Sequence, residues 1–244
     1  MIDVQKILDG YDTAKVRIGS LGGHSALDVC RGAHDEGFET VVVAQKGREQ
    51  TYAKHFKARD GKGCVDHVIT VDKFADIVKP EIQQQLRDLN VVFVHSRYFW
   101  VYCDYNQIEN DFLVPIFGNR QLVRKEERNE DKNQYFLLEQ AGIKLPKQFK
   151  SPEEIDRLVI VKAAEAARGY ERAFFLASSP EEYQQASGKL VADGVITKES
   201  LDAAIIEEFV VGPQLNLNFF YSPLSGEVEL MGTDTRRQTN IDGL

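Results

Sequence analysis

Apolar residues in the first half of the chain fall into short continuous runs that alternate with stretches of helical spacing. Residues 14–18 are strand-like and lead into the turn Gly19-Ser20-Leu21-Gly22-Gly23-His24-Ser25, after which Ala26, Leu27, Cys30 and Ala33 recur at helical spacing until Gly37. Residues 40–44 are again a continuous apolar run of strand length. Strand, glycine-rich turn, helix and strand make a βαβ unit, which calls for a parallel sheet covered on both faces. The alternation goes on through residues 65–71, a helix over 80–88, a strand over 91–95 and a strand-like run over 113–117. An open, doubly wound α/β sheet is the simplest architecture for residues 1–120.

The pattern changes at Gly118-Asn119-Arg120, where residues 120–134 become charged and poor in apolar side chains until the helical stretch 135–138. This predicts two domains, 1–120 and 121–244. Gly142, with Pro146 beyond it, stops that helix. Strands are then expected over 158–162, 173–176, 205–211, 215–221 and 228–231, with a helix over 180–189, which suggests an α+β second lobe. Neither an internal repeat nor a low-complexity tract is present in the sequence.

Composition narrows the function classes. With 30 Lys+Arg against 38 Asp+Glu the formal charge is −8, which argues against a nucleic-acid or anionic-membrane partner. No apolar run approaches the ~20 residues of a spanning helix, and the acidic start MIDVQKILDGYD is unlike a signal peptide, so a cytoplasmic protein is expected. Cys30, Cys64 and Cys103 are odd in number and widely spaced, and read as buried thiols.

The Gly22-Gly23-His24-Ser25 turn ends a strand and opens a helix, where amide groups and the helix dipole attract a phosphate or carboxylate. Its spacing is not GxGxxG and no acid closes the second strand, so a dinucleotide site is disfavoured. Lys46 and Arg48, on the same rim, are candidate cations for that anion, or else a solvated basic loop. In the second lobe Lys162 ends an apolar strand and needs a partner, of which a nucleotide phosphate is one. Glu207 and Glu208 interrupt another apolar strand, and Gln214, Asn216 and Asn218 line one face of a third. The histidines lack HExxH spacing and no nucleophile stands in an elbow motif, which excludes zinc and serine-hydrolase chemistry.

These residues resemble the ATP-grasp ligases: Lys162, the segment around Asp131, Lys132 and Gly142, and the run Glu207-Glu208-Phe209-Val210 stand in that order and rough spacing. The resemblance narrows to the archaeal formate-dependent FAICAR synthetase family. It is carried by Gly22-Gly23-His24-Ser25, Lys46-Gly47-Arg48, the block Glu109-Asn110-Asp111-Phe112-Leu113-Val114-Pro115-Ile116-Phe117-Gly118-Asn119-Arg120, Tyr221-Ser222-Pro223-Leu224 and Asn240-Ile241-Asp242-Gly243, and it covers essentially the whole chain.

The resemblance implies a Rossmann-like substrate-binding domain followed by a partial ATP-grasp lobe. It also implies the formylation of AICAR (aminoimidazole carboxamide ribonucleotide) by formate through formyl phosphate, with ATP and magnesium, in a homo-oligomer. His24, Tyr98, Lys46 and Arg48 would face the ribonucleotide, and Lys162, Glu207, Glu208, Phe209, Val210 and Gln238 the ATP. Three departures stand out: a loop after Lys162 with Gly169 as its lone glycine, Tyr98 at the place of a family serine, and Gln238 at the place of an acid. They leave open a paralogue with another acceptor, or a non-catalytic nucleotide-binding protein. The resemblance further implies a chain truncated before the magnesium-binding glutamates, which predicts that residues 1–244 alone do not turn over.

Overall fold

The first βαβ unit forms where the apolar spacing places it. The computed structural model describes residues 2–126, 130–163, 174–212 and 215–234, and its contacts divide the chain into Met1–Ala141 and Gly142–Leu244.

The first unit opens with α1 (Val4–Leu8), followed by β1 (Arg17–Leu21), α2 (Ala26–Asp35), β2 (Thr40–Gln45), β3 (His67–Val71), α3 (Pro80–Asp88) and β4 (Val91–Phe93). The sheet is parallel, in the order β3-β2-β1-β4. Alternation along β2 sends Val41 and Val43 to one core, with Leu86, Phe93 and Phe112, and Val42 and Ala44 to the other, with Ala26 and Cys30 of α2. Both faces are thus covered, as a parallel sheet requires. At Gly19 there is no room for a side chain: a Cβ would stand 2.4 Å from Val91 Cγ1.

Some expectations shift, and one stretch holds helices that the sequence pattern did not predict. The first strand starts at Arg17 rather than residue 14, because the Asp12 carboxylate accepts from the Ala14 amide and turns Thr13–Lys15 into a short 3-10 helix. Residues 113–117 do not form a full strand. They meet β4 through one parallel bridge, Phe93 to Ile116, and Pro115 has no N–H to extend the ladder. The stretch after β4 folds into α4 (Arg97–Tyr102) and α5 (Tyr105–Asn110), which bury Phe99 and Ile108 against the first core. The helix α6 (Gln134–Gln140) stops as expected, with Gly142 at φ 69°.

The second unit holds β5 (Gln148–Phe149), β6 (Val159–Lys162), β7 (Phe174–Ala177), α7 (Pro180–Ala192), α8 (Lys198–Asp202) and β8 (Ile205–Glu208). Its four strands are antiparallel, in the order β5-β8-β6-β7. Phe149, Val159, Val161, Phe175, Ile206 and Tyr183 of α7 form the core on one face. The strand β8 ends at Glu208, short of the expected 211. A separate antiparallel hairpin follows, β9 (Asn216–Tyr221) with β10 (Val228–Asp234).

Candidate functional site

In the first unit the strand order reverses direction at β1, whose neighbours are β2 on one side and β4 on the other. The carboxyl ends of strands at such a point form the usual ligand crevice of open α/β sheets. Gly22 and Gly23 leave β1 here under close cover. A Cβ on Gly22 would lie 3.0 Å from Tyr52 Cε2 and 3.1 Å from the Ala44 backbone, and one on Gly23 would lie 2.7 Å from Tyr98 Cγ. The Tyr52 hydroxyl donates to Gly23 O at 3.2 Å and fixes the turn.

Around this turn three of the expected substrate residues share one aromatic cluster. The exposed His24 ring stands 5.2 Å from Tyr98. Tyr98 meets Phe74 at 5.5 Å and Tyr102 at 5.3 Å, and the Arg48 guanidinium lies over Phe74 at 5.6 Å. Such stacking holds the cation in place while leaving its edges to a ligand. Lys46 enters this rim through its backbone, whose N–H donates to Val71 O at 2.8 Å, with its side chain exposed. Sequence reasoning missed Phe74, which ties Arg48 to Tyr98; an aromatic just past β3 was its only signal.

It also missed three buried polar atoms at the ends of β1 and β4. Ser20 Oγ, His95 Nδ1 and Ser96 Oγ have no hydrogen-bond partner, which is costly in a core and common where a ligand or water completes the set. Burial lowers the His95 pKa and favours the neutral ring, which packs edge-on against Trp100 at 5.4 Å.

In the second unit, Lys162 at the end of β6 donates to the carboxylate of Glu207 on β8. The Lys162 side chain is 21% exposed and that of Glu207 7%. Glu208 turns to other partners, accepting from Arg157 and from the Lys147 amide, both at 3.4 Å. The amides of Glu208 and Phe209 donate to Lys147 O at 2.7 Å and Leu158 O at 2.9 Å, so they belong to the sheet. Phe209 is half-buried and Val210 exposed. On the hairpin, Asn216 and Asn218 both donate to the Asp234 carboxylate, at 2.9 and 3.1 Å. Gln214, Gln238 and the loop that follows Ala163 lie outside the described residues.

A family model described as a protein of unknown function, DUF1246, matches residues 18–149, more than half of the chain. The chain belongs to the DUF1246 family. A second model, described as a domain of unknown function, DUF1297, matches residues 182–244 of this DUF1246 chain. Among its curated relatives, the 5-formaminoimidazole-4-carboxamide-1-(beta)-D-ribofuranosyl 5'-monophosphate synthetases of Methanopyrus kandleri and Methanocaldococcus jannaschii are 42% and 43% identical to it. Each alignment covers 99% of the chain and 64% of the relative, so the chain spans just under two thirds of their length. The resemblance read from the sequence is borne out at the level of the family.

Two solved structures are similar in fold. The IMP biosynthesis protein PurP from Thermococcus kodakaraensis matches with a TM-score of 0.59 at 22% identity, over 90% of this chain and 59% of that one. The N5-carboxyaminoimidazole synthetase from Staphylococcus aureus matches with a TM-score of 0.59 at 15% identity, over 92% and 55%. At these identities they speak to fold alone, and the fold is the mixed α/β architecture expected from the sequence, a parallel sheet in the first unit and antiparallel strands in the second.

Proposed function

We propose that the chain binds the substrates of, and takes part in, the ligase chemistry of its named relatives, the ATP-dependent formylation of AICAR by formate to give FAICAR, ADP and phosphate. The observation that carries this reading is 42–43% identity to those synthetases across 99% of the chain. In this reading ATP phosphorylates formate, and the AICAR amine attacks the carbonyl of formyl phosphate and expels phosphate. The chain's own residues bind and orient. The basic, aromatic rim of His24, Lys46, Arg48 and Tyr98 takes the ribonucleotide, whose phosphate suits the guanidinium of Arg48. Lys162 takes the ATP phosphates as a point charge, and the segment Glu207, Glu208, Phe209 and Val210 runs along the adenine with its main-chain groups, with Gln238 assigned to the same ligand.

Magnesium would neutralise phosphate charge during transfer. Among the described residues no three His, Cys, Asp or Glu side chains come together to hold it. No described helix is long and apolar enough to cross a membrane. The proposed reaction, by its resemblance to the synthetases, is that of a cytoplasmic enzyme acting on small molecules as a homo-oligomer.

A second reading keeps ATP and changes the acceptor. It is favoured by the bulk of Tyr98, whose ring covers Gly23 and abuts His24 at the rim.

The test is thermal melting of the chain with AICAR and with MgATP, titrated separately. A ligand specific to the folded state stabilises it by about 2.7 kcal/mol at a hundredfold excess over Kd. Both ligands are expected to raise Tm, the AICAR shift vanishing in His24→Ala. A shift with MgATP but none with AICAR supports the second reading, and no shift with either overturns both.

A further inference from the structure

We infer that Glu207 is a positioning residue, which holds the Lys162 ammonium ready for the phosphates of a bound nucleotide. The inference rests on the nucleotide reading above and adds to it a role for a side chain that does not itself touch the ligand.

Sheet register places the two groups. Ile160 pairs with Glu207 and Lys162 with Ile205 across β6 and β8, and Leu176 and Phe174 of β7 pair with Ile160 and Lys162. Paired residues share a face, so these side chains lie opposite the core built by Val159, Val161 and Ile206. Among the described residues this face carries the Lys162–Glu207 ion pair and Gln148 of β5, which pairs with Glu207, beside the apolar Ile160, Ile205, Phe174 and Leu176. The carboxylate of the ion pair is carried by an inner strand, bonded to β5 on one side and β6 on the other, and is the more deeply buried partner.

A buried carboxylate is costly unless paired, so the lysine is held to it. An ammonium has three donors and Glu207 takes one, which leaves two for a ligand. The four-carbon stem, which would otherwise lose its rotamer freedom when the nucleotide arrives, is ordered beforehand. The carboxylate also repels a phosphate. Yet that phosphate would touch the ammonium at ~3 Å while the tetrahedral angle between donors keeps it ~5 Å from the carboxylate, so by Coulomb's law the attraction is roughly one and a half times the repulsion. Ordering and attraction together outweigh the repulsion.

The experiment measures ADP and adenosine affinities of the whole chain by calorimetry, in the wild type, Glu207→Gln, Lys162→Ala and the double variant. Glu207→Gln is expected to weaken ADP about tenfold, or ~1.4 kcal/mol, and to leave adenosine unchanged. In the Lys162→Ala background the same exchange is expected to do nothing further, since the group it positions is gone. Glu207→Asp, which keeps the charge, should recover part of the ADP affinity, and it carries the same ADP-against-adenosine comparison if the glutamine variant does not fold. Unchanged or tighter ADP binding in Glu207→Gln would make Glu207 a mere counter-ion and overturn the inference. An equal loss for ADP and adenosine would do so too, by tracing the effect to the fold or the base. A folded wild type that binds neither ligand removes the nucleotide reading itself, and this inference with it.

Discussion

The ring of Tyr98 lies directly over the α-carbon of Gly23: a Cβ built there would stand 2.7 Å from Cγ and 2.9 Å from both Cδ atoms. The turn that ends β1 and the helix that follows β4 are therefore fitted to each other across the crevice. A glycine is required at position 23 because of a neighbour, and it takes no positive φ there.

Gly23→Ala is accordingly expected to destabilise the chain by ~1–3 kcal/mol, the usual cost of overpacking. Adding Tyr98→Ser should return much of that loss, because the clash is with the ring. Urea denaturation of the two single variants and the double variant measures it, and strict additivity would show that the two groups do not press on each other.

Arg120 closes the block that most narrowly marks the family, and its work is structural. Its guanidinium donates to Ile108 O at 2.9 Å, Phe112 O at 2.7 Å and Val114 O at 3.3 Å, binding the end of α5 to the segment that follows. Lysine has no planar fork to reproduce this set. Arg120→Lys is expected to cost ~1–3 kcal/mol in denaturant stability and to leave nucleotide affinity unchanged in titration.

Burial pushes the thiols of Cys30 and Cys103 up to about 12 and raises that of Cys64. Only the thiolate is nucleophilic. Iodoacetamide at pH 8 should therefore leave all three unmodified in the native chain and alkylate them in urea, as mass spectrometry of the two samples would reveal.

His95 sets a pH limit. Its folded pKa lies below the ordinary value of 6.5 through burial, so the unfolded chain binds the extra proton and stability falls as pH drops below about 6.5. Asp156 acts in a lower window: hydrogen bonds from Arg157 and Lys147 hold its carboxyl at about 2, so its contribution is present above pH 3.8 and lost as pH falls towards 2. His95→Gln is expected to flatten the decline in urea midpoint between pH 7 and 5. An unchanged slope would place that decline on other groups.

Most of the fold was legible because its strands are apolar and its helices periodic. The helix over Pro80–Asp88 begins with proline at its first position and buries Ile82 and Leu86 at helical spacing, and the sequence predicted its bounds. Residues 97–110 were not read because two six-residue helices are too short to show a period, and their burial of Phe99 and Ile108 is a tertiary fact. The candidate site was legible as residue types at strand ends, namely His24, Arg48 and Lys162. What joins them was not. The link from Arg48 to Tyr98 through Phe74, and the pairing of Lys162 with Glu207 45 residues later, depend on packing and register.

The Lys162–Glu207 pair also bears on kinetics. Seen from beyond a few ångströms a closed ion pair is nearly neutral, so it casts no steering field, and a nucleotide should reach it at a rate that varies little with ionic strength. The exposed Lys46 and Arg48 of the first unit differ. They are open charges in a chain of net charge −8, and capture of an anionic ligand there should slow as salt rises. The two ligands of the proposed reaction would then be told apart by the salt dependence of their arrival as well as by their chemistry.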